Sequence, residues 1–265
     1  MSKMKYVPAL VAIGLLFGGV AAANTTAYSH DFADDVGDWQ GAIAHDNTDE
    51  TGEVTGSTYS FFGGAVNQAV WPSHGYLTEL AVYLDPATLA AGDGFDLTVA
   101  SYNQSGTHLR DFIFHVGMTA AGDLLVNGSN NTDGAVNEYK LFNDGDGTPT
   151  TITTAGWYTF QHVFHDAGDG SLAVDLRVLD DTGTEVFVTT RNNVADDLAT
   201  TVGGVGYQWF TFASGTFDVD NQLLEFVTIG PASKDDCKNG GFESFGYDNQ
   251  GQCVASVQAN EAAGK

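Results

Sequence analysis

The sequence predicts an all-β protein built as a two-sheet antiparallel sandwich. Three observations carry this. Short runs of period-two alternation recur along the chain, tight-turn residues punctuate them, and helix-length amphipathic stretches are almost absent. Gly is abundant at 33 residues and Pro scarce at 5. The clearest segment, GWYTFQHVFHDAGDGSLAVDLRVLDDTGTEVFVTT over 156–190, reads as a three-strand meander. In its first strand Tyr158, Phe160, His162 and Phe164 share one face, with Trp157, Val163 and His165 on the other. In the second, Leu172, Val174, Leu176 and Val178 oppose Asp175 and Arg177. DAGDGS and DDTG supply the hairpin turns.

Similar runs predict strands at 28–32, 57–64, 76–85, 94–103, 109–118, 123–129, 205–214 and 222–230. Roughly a dozen strands with no convincing helix imply two stacked sheets. Phe112, Ile113 and Phe114 place bulk on both faces, which marks an interior strand. Short helical turns are expected at 85–92 and 193–200. Residues 231–236 read as a linker and 259–265 as a disordered end.

The N-terminus, MSKMKYVPALVAIGLLFGGVAAANTT, has Lys3 and Lys5 ahead of an uncharged run that closes on Ala21, Ala22 and Ala23. This is the layout of a cleaved signal peptide over 1–23. The rival, a retained anchor, is weakened by Pro8 and three glycines within a run at the lower limit of a bilayer span. The mature protein is therefore expected to be secreted or at the cell surface, with no transmembrane span, as a monomer. Cys237 and Cys253 are the only cysteines. In an oxidising compartment such a pair becomes a disulfide. No C-x-x-C and no nearby His supports a zinc site. The bridge would stabilise the tail by about 3 kcal/mol. Residues 24–230 then form the sandwich and 231–258 a linker and disulfide-closed tail.

The formal net charge is −25, with 26 Asp against 8 Glu. Asp suits turns and calcium sites, and the acidic excess suits a surface that stays soluble in salt. The sign excludes nucleic acid and anionic membranes as partners.

The run of a W-x-x-F strand, an acidic-Gly turn, an alternating strand and a D-x-x-G turn resembles the concanavalin A-like, laminin-G-like jelly-roll sandwich over about residues 28–230. GDGFDLTVASYNQSGTHLRDFIFHVG and TAGWYTFQHVF are similar to secreted bacterial sandwiches without an assigned activity. The tail resembles a C-K-N-G-G…N-Q-G-x-C-V module found at the C-termini of secreted bacterial proteins. It matches at Cys237, Lys238, Asn239, Gly240, Gly241, Phe242, Phe245, Asn249, Gln250, Gly251, Cys253 and Val254, with Phe242 where Trp is expected. That resemblance implies export and a stapled module, and no chemistry.

Glycosidases of this fold carry E-x-D-x-x-E along one strand. Here only DVDNQLLE occurs, with Asp218 and Asp220 on one face and Glu225 at the wrong spacing and parity, as in a turn before the last strand. In HLRDFIFHV, alternation places Asp111, Ile113 and His115 on one face and Arg110, Phe112 and Phe114 on the other. Asp111 and His115 are candidate ligand-binding groups, against the alternative of a buried ion pair and a core histidine. Tyr207 and Trp209 share a face of GYQWFTF and are the candidate sugar-stacking pair. Trp39 and Trp71, near expected loops, are further platform candidates against the alternative of core tryptophans. Asn143, Asp144 and Asp146 in FNDGDGTPT form a candidate calcium loop that lacks the Gly and Glu of an EF-hand. Asp166 and Asp169 in HDAGDG are a second candidate, equally needed as a turn. G-x-S-x-G, H-E-x-x-H and phosphate-loop patterns are absent.

The leading expectation is a non-catalytic module that binds an extracellular polysaccharide or other ligand on one sheet face, needing no cofactor, with calcium the one candidate ion. The alternatives are a polysaccharide lyase or hydrolase with a nonstandard site, in which His115 is essential, and a structural surface protein with calcium-stabilised loops.

Overall fold

The structure, a computed structural model, describes residues 25–64, 75–103, 105–130, 148–199, 207–227, 234–242 and 249–263. The signal-peptide region, Trp71 and the loop with Asn143, Asp144 and Asp146 lie outside the described residues.

Among the described residues there are thirteen strands: β1 (Thr25–His30), β2 (Gln40–Asp46), β3 (Thr51–Ser60), β4 (Tyr76–Leu84), β5 (Gly94–Tyr102), β6 (His108–Met118), β7 (Leu124–Asn130), β8 (Thr150–Ile152), β9 (Gly156–Asp166), β10 (Ser171–Leu179), β11 (Glu185–Asp197), β12 (Gln208–Ser214) and β13 (Phe217–Phe226). All neighbours pair antiparallel, in the order β11-β10-β9-β4-β13-β3-β12-β5-β6-β7-β8, with β1 added beside β13 and β2 beside β3. The ladder is continuous because β13 serves two layers. Phe217 to Val219 pair with β3, while Val219 to Phe226 pair with β4. The ribbon therefore folds over at β13 into a jelly-roll sandwich, with β1, β13, β4, β9, β10 and β11 in one layer and β2, β3, β12, β5, β6, β7 and β8 in the other.

The inner faces are those that alternation marks. Phe95, Phe112 and Phe114 of the second layer meet Phe160 and Phe164 of the first at ring-centroid distances of 5.1 to 5.8 Å, edge to face. His162 lies in this core, fully buried, with Nε2 3.2 Å from the Phe112 carbonyl. Arg110 shares the inward parity of Phe112 and reaches across the layers. Its Nε and Nη2 donate to Asp196 at 2.5 and 3.0 Å, a buried two-point ion pair. Trp39 is core rather than platform: it is 4% exposed, and its indole N–H donates to Gln222 Oε1 at 2.8 Å.

Three local expectations are corrected. Residues 193–197 continue β11 as strand instead of forming a helical turn. DVDNQLLE is not a turn before a strand but the middle of β13, broken by a bulge. Asn221 adopts φ 47° and the register with β4 shifts between Asp220 and Leu223. Inward parity passes from Phe217 and Val219 to Gln222 and Leu224, so Glu225 joins the outward face of Asp218 and Asp220 after all. The third correction is a helix in the tail, α1 (Gln250–Ala263), whose last residues lie in the stretch expected to be disordered. Asn249 caps it, its Oδ1 accepting the Gln252 N–H at 3.0 Å.

The Cys237–Cys253 disulfide is formed, with Cα atoms 5.7 Å apart. With Val257, and with Phe242 and Val254 packed alongside, it makes a small cluster separate from the sandwich core. Among the described residues no helix is long and apolar enough to cross a membrane.

Candidate functional site

On the outer face of the second layer, register lines up Tyr59 of β3, Trp209 of β12, Thr98 of β5, Ile113 of β6 and Ser129 of β7. The left part of this row is aromatic and open. Trp209 is 42% exposed and Phe61 43%, two of only four large apolar side chains so exposed among the described residues. Tyr59 stands between them, 5.3 Å from Phe61 and 6.4 Å from Trp209. Tyr207 follows at 5.0 Å from Trp209, and Tyr102 at 6.2 Å from Tyr207. His108 ends the strip, edge-on to Tyr102 at 5.6 Å. Tyr207 and Trp209, paired in the sequence by parity, are thus adjacent, inside a longer row that parity alone did not reveal.

The row is held from beneath by polar groups. Tyr207 O–H donates to Asp111 Oδ1 at 2.7 Å, and His108 Nε2 lies 3.0 Å from the same oxygen. Burial, reinforced by the Asp111 charge and hydrogen bond, pushes the Tyr207 hydroxyl well above the ordinary phenol range, so it stays a neutral donor. Burial and Asp111 also push Tyr102 up. Tyr59 O–H donates to Gln40 Oε1 at 3.1 Å. Phe61 owes its outward pose to Asp38, whose Oδ2 accepts the N–H of Phe61 and of Gly63, both at 2.8 Å. Asp38 Oδ1 takes Ser60 Oγ–H at 2.6 Å and Tyr28 O–H at 3.0 Å. Phe62 turns left-handed at φ 52° and buries completely, leaving Phe61 outside.

His115 is not in this row. It lies on the same outer face one row further along, fully buried, with Nδ1 2.7 Å from Asp96 Oδ1 and Nε2 2.7 Å from Ser129 Oγ. Its carboxylate neighbour is Asp96 rather than Asp111, because register sets Asp96 directly across from His115 and Asp111 opposite Ala100. Asp96 was absent from the sequence reading. The available signal was a lone acid embedded in the apolar run GFDLTVA.

Asp166 and Asp169 serve a turn. Asp166 Oδ1 accepts the N–H of Gly168 and Gly170, and Asp169 Oδ1 accepts both N–H and O–H of Ser171. Among the described residues no group of three or more His, Cys, Asp or Glu is arranged to hold a metal ion.

Strand order and surface together define an antiparallel jelly-roll sandwich that carries an exposed aromatic row on one sheet. No family model and no curated protein matches the chain. Solved structures similar to it include the CBM2 module of Lactobacillus casei BL23 phage J-1 evolved Dit, at 8% identity over 77% of this chain and 96% of that one, with a TM-score of 0.45. The marine PL-14 alginate lyase from Aplysia kurodai matches at 13% identity over 76% and 98%, TM-score 0.44. Lectin II from Ulex europaeus matches at 15% identity over 76% and 99%, TM-score 0.44.

Proposed function

We propose that the protein is an exported module that binds a polysaccharide chain along the row Phe61, Tyr59, Trp209, Tyr207 and Tyr102. The observation that carries this reading is the row itself: successive aromatic rings spaced 5.0 to 6.4 Å apart on an open sheet face. Exposed aromatics in contact are costly unless they meet a partner. The apolar C–H faces of sugar rings fit them, while the Tyr hydroxyl oxygens and His108 offer hydrogen bonds at the rim. The net charge of −25 favours a neutral glycan over an anionic one. The charge-bearing N-terminal pattern and the disulfide support export.

The test is affinity electrophoresis of the protein through gels holding neutral or anionic polysaccharides. A neutral glycan is expected to retard the wild type, and Trp209→Ala to weaken that binding by roughly 5- to 150-fold, since aromatic anchors contribute on the order of 1–3 kcal/mol. Equal mobility of wild type and variant in every gel that retards the protein would remove the row as the site.

A further inference from the structure

Asp96, His115 and Ser129 come from three consecutive strands, β5, β6 and β7. Asp96 Oδ1 lies 2.7 Å from His115 Nδ1, and Ser129 Oγ lies 2.7 Å from His115 Nε2. A carboxylate accepts only, so Nδ1 carries the proton that bridges the pair. In the neutral ring Nε2 is then the acceptor, and Ser129 O–H donates to it. Each atom stands in the role that a serine nucleophile, its base and the base's orienting acid require, and such constellations are recognised by geometry rather than by sequence order.

The surroundings hold this geometry rigid. All three residues lie in the interior strands of the layer, where β6 pairs along its length with β5 and β7. Gly128, next to Ser129, seats β7 against the opposite layer. A Cβ there would stand 2.7 Å from Thr189 Cγ2 and 2.8 Å from Leu176 Cδ1, so a larger residue would have to push the opposite layer's side chains aside. Arg191 Nη2 donates to the Gly128 carbonyl at 2.8 Å. Asp96 and His115 are fully buried and Ser129 is 7% exposed. The Asp–His pair is thus shielded from water, and the serine is the member nearest solvent. In a dry site the imidazolium formed during reaction is strongly stabilised by its carboxylate.

We infer that Ser129, His115 and Asp96 form an acyl-transfer triad that hydrolyses carboxylic esters. Ser129 Oγ attacks the ester carbonyl carbon as its proton passes to His115 Nε2. The tetrahedral intermediate collapses, the bond to the alcohol oxygen breaks, and that oxygen takes the proton from His115. Water then attacks the acyl-serine, giving its proton to His115, and the acid departs as Ser129 regains the proton. Asn127 faces the same way two residues before Ser129 and opposite His115. Its Oδ1 accepts the Gly128 N–H at 2.8 Å, which holds the backbone beside the serine. Trp209 and Ser129 occupy one register row three strands apart, about 14 Å by strand spacing. On the polysaccharide-binding reading, the ester is an O-acyl group carried by a glycan lying along that row.

The experiment treats the full chain, disulfide intact, with a fluorophosphonate probe and with p-nitrophenyl acetate, neither of which needs the aromatic row. Mass spectrometry is expected to find the probe on Ser129, and p-nitrophenol release is expected to fall about 10²–10⁴-fold in Ser129→Ala. Asp96→Asn, which keeps shape but reverses the tautomer, should fall comparably, with the β-sheet circular dichroism of both variants matching wild type. Acetate release from an O-acetylated polysaccharide, measured beside gel retardation, separates the two readings: ester turnover without retardation sinks the glycan, and retardation without turnover or labelling sinks the triad. Labelling at another serine, or turnover unchanged in Ser129→Ala, would also overturn it.

Discussion

Single acidic side chains set much of the detail of this protein, and they do so in opposite electrostatic settings. Asp38 spends both oxygens on four donors and thereby aims Phe61. Glu79 accepts the Gln161 Nε2–H at 2.6 Å, yet burial pushes its carboxyl up to about 7, with Glu225 adding to the rise. A carboxyl raised above its unfolded value stabilises the fold below pH 4.5, and that contribution is lost as pH rises through about 7. Above that pH the fold carries an unfavourable charge of up to about 3 kcal/mol. Glu79→Gln is therefore expected to raise the melting temperature at pH 8 and leave it nearly unchanged at pH 4.5, as followed by circular dichroism. An equal gain at both pH values would mean that packing, not charge, governs the site. His162 works the other way. Burial lowers it to about 3, so its contribution is present above pH 6.5 and is lost as pH falls toward 3.

At the level of the element, the strands fold because their alternation matches two faces, while two elements depend on something other than pattern. β13 needs the Asn221 bulge to pass from one layer to the other with its apolar side still inward. The α1 helix, at fourteen residues, is too short to be more than marginal in isolation. It is held by the Cys237–Cys253 bridge and by Val257 one turn beyond Cys253. Reduction of the disulfide should remove about 3 kcal/mol from this module. It is expected to melt the helical signal at 222 nm while leaving the tryptophan-fluorescence midpoint of the sandwich unchanged, since all four tryptophans precede residue 210. A parallel drop in both signals would show that tail and sandwich unfold as one unit.

For the molecule as a whole, 34 acidic residues face 9 basic ones. Self-repulsion on this scale opposes compaction, and salt screens it within a Debye length of a few ångströms at molar concentration. Raising NaCl from 0.05 to 1 M should increase the melting temperature by roughly 2–8 °C, measured by differential scanning fluorimetry. A flat or falling response would place the stability in solvent-exposed ion pairs such as Arg177–Glu185 instead.

Much of the architecture was legible because period-two patterning is local. The faces of β9 and β10, the interior place of β6, and the pairing of Tyr207 with Trp209 all follow from counting by two. β2 and β8 were missed, one half-exposed and one only three residues long, so neither shows a clear apolar alternation. Glu225 was misjudged because a bulge resets parity without leaving a mark in composition. The sequence by itself determined that this is an acidic, all-β sandwich with one stapled tail. Only the tertiary structure decided which side chains meet: that Asp111 serves Tyr207 and His108, and that His115 belongs to Asp96 and Ser129. The physical reason is that alternation fixes the face a residue takes, whereas its neighbour on that face depends on register between strands, and register is set by turns, bulges and packing spread across the chain.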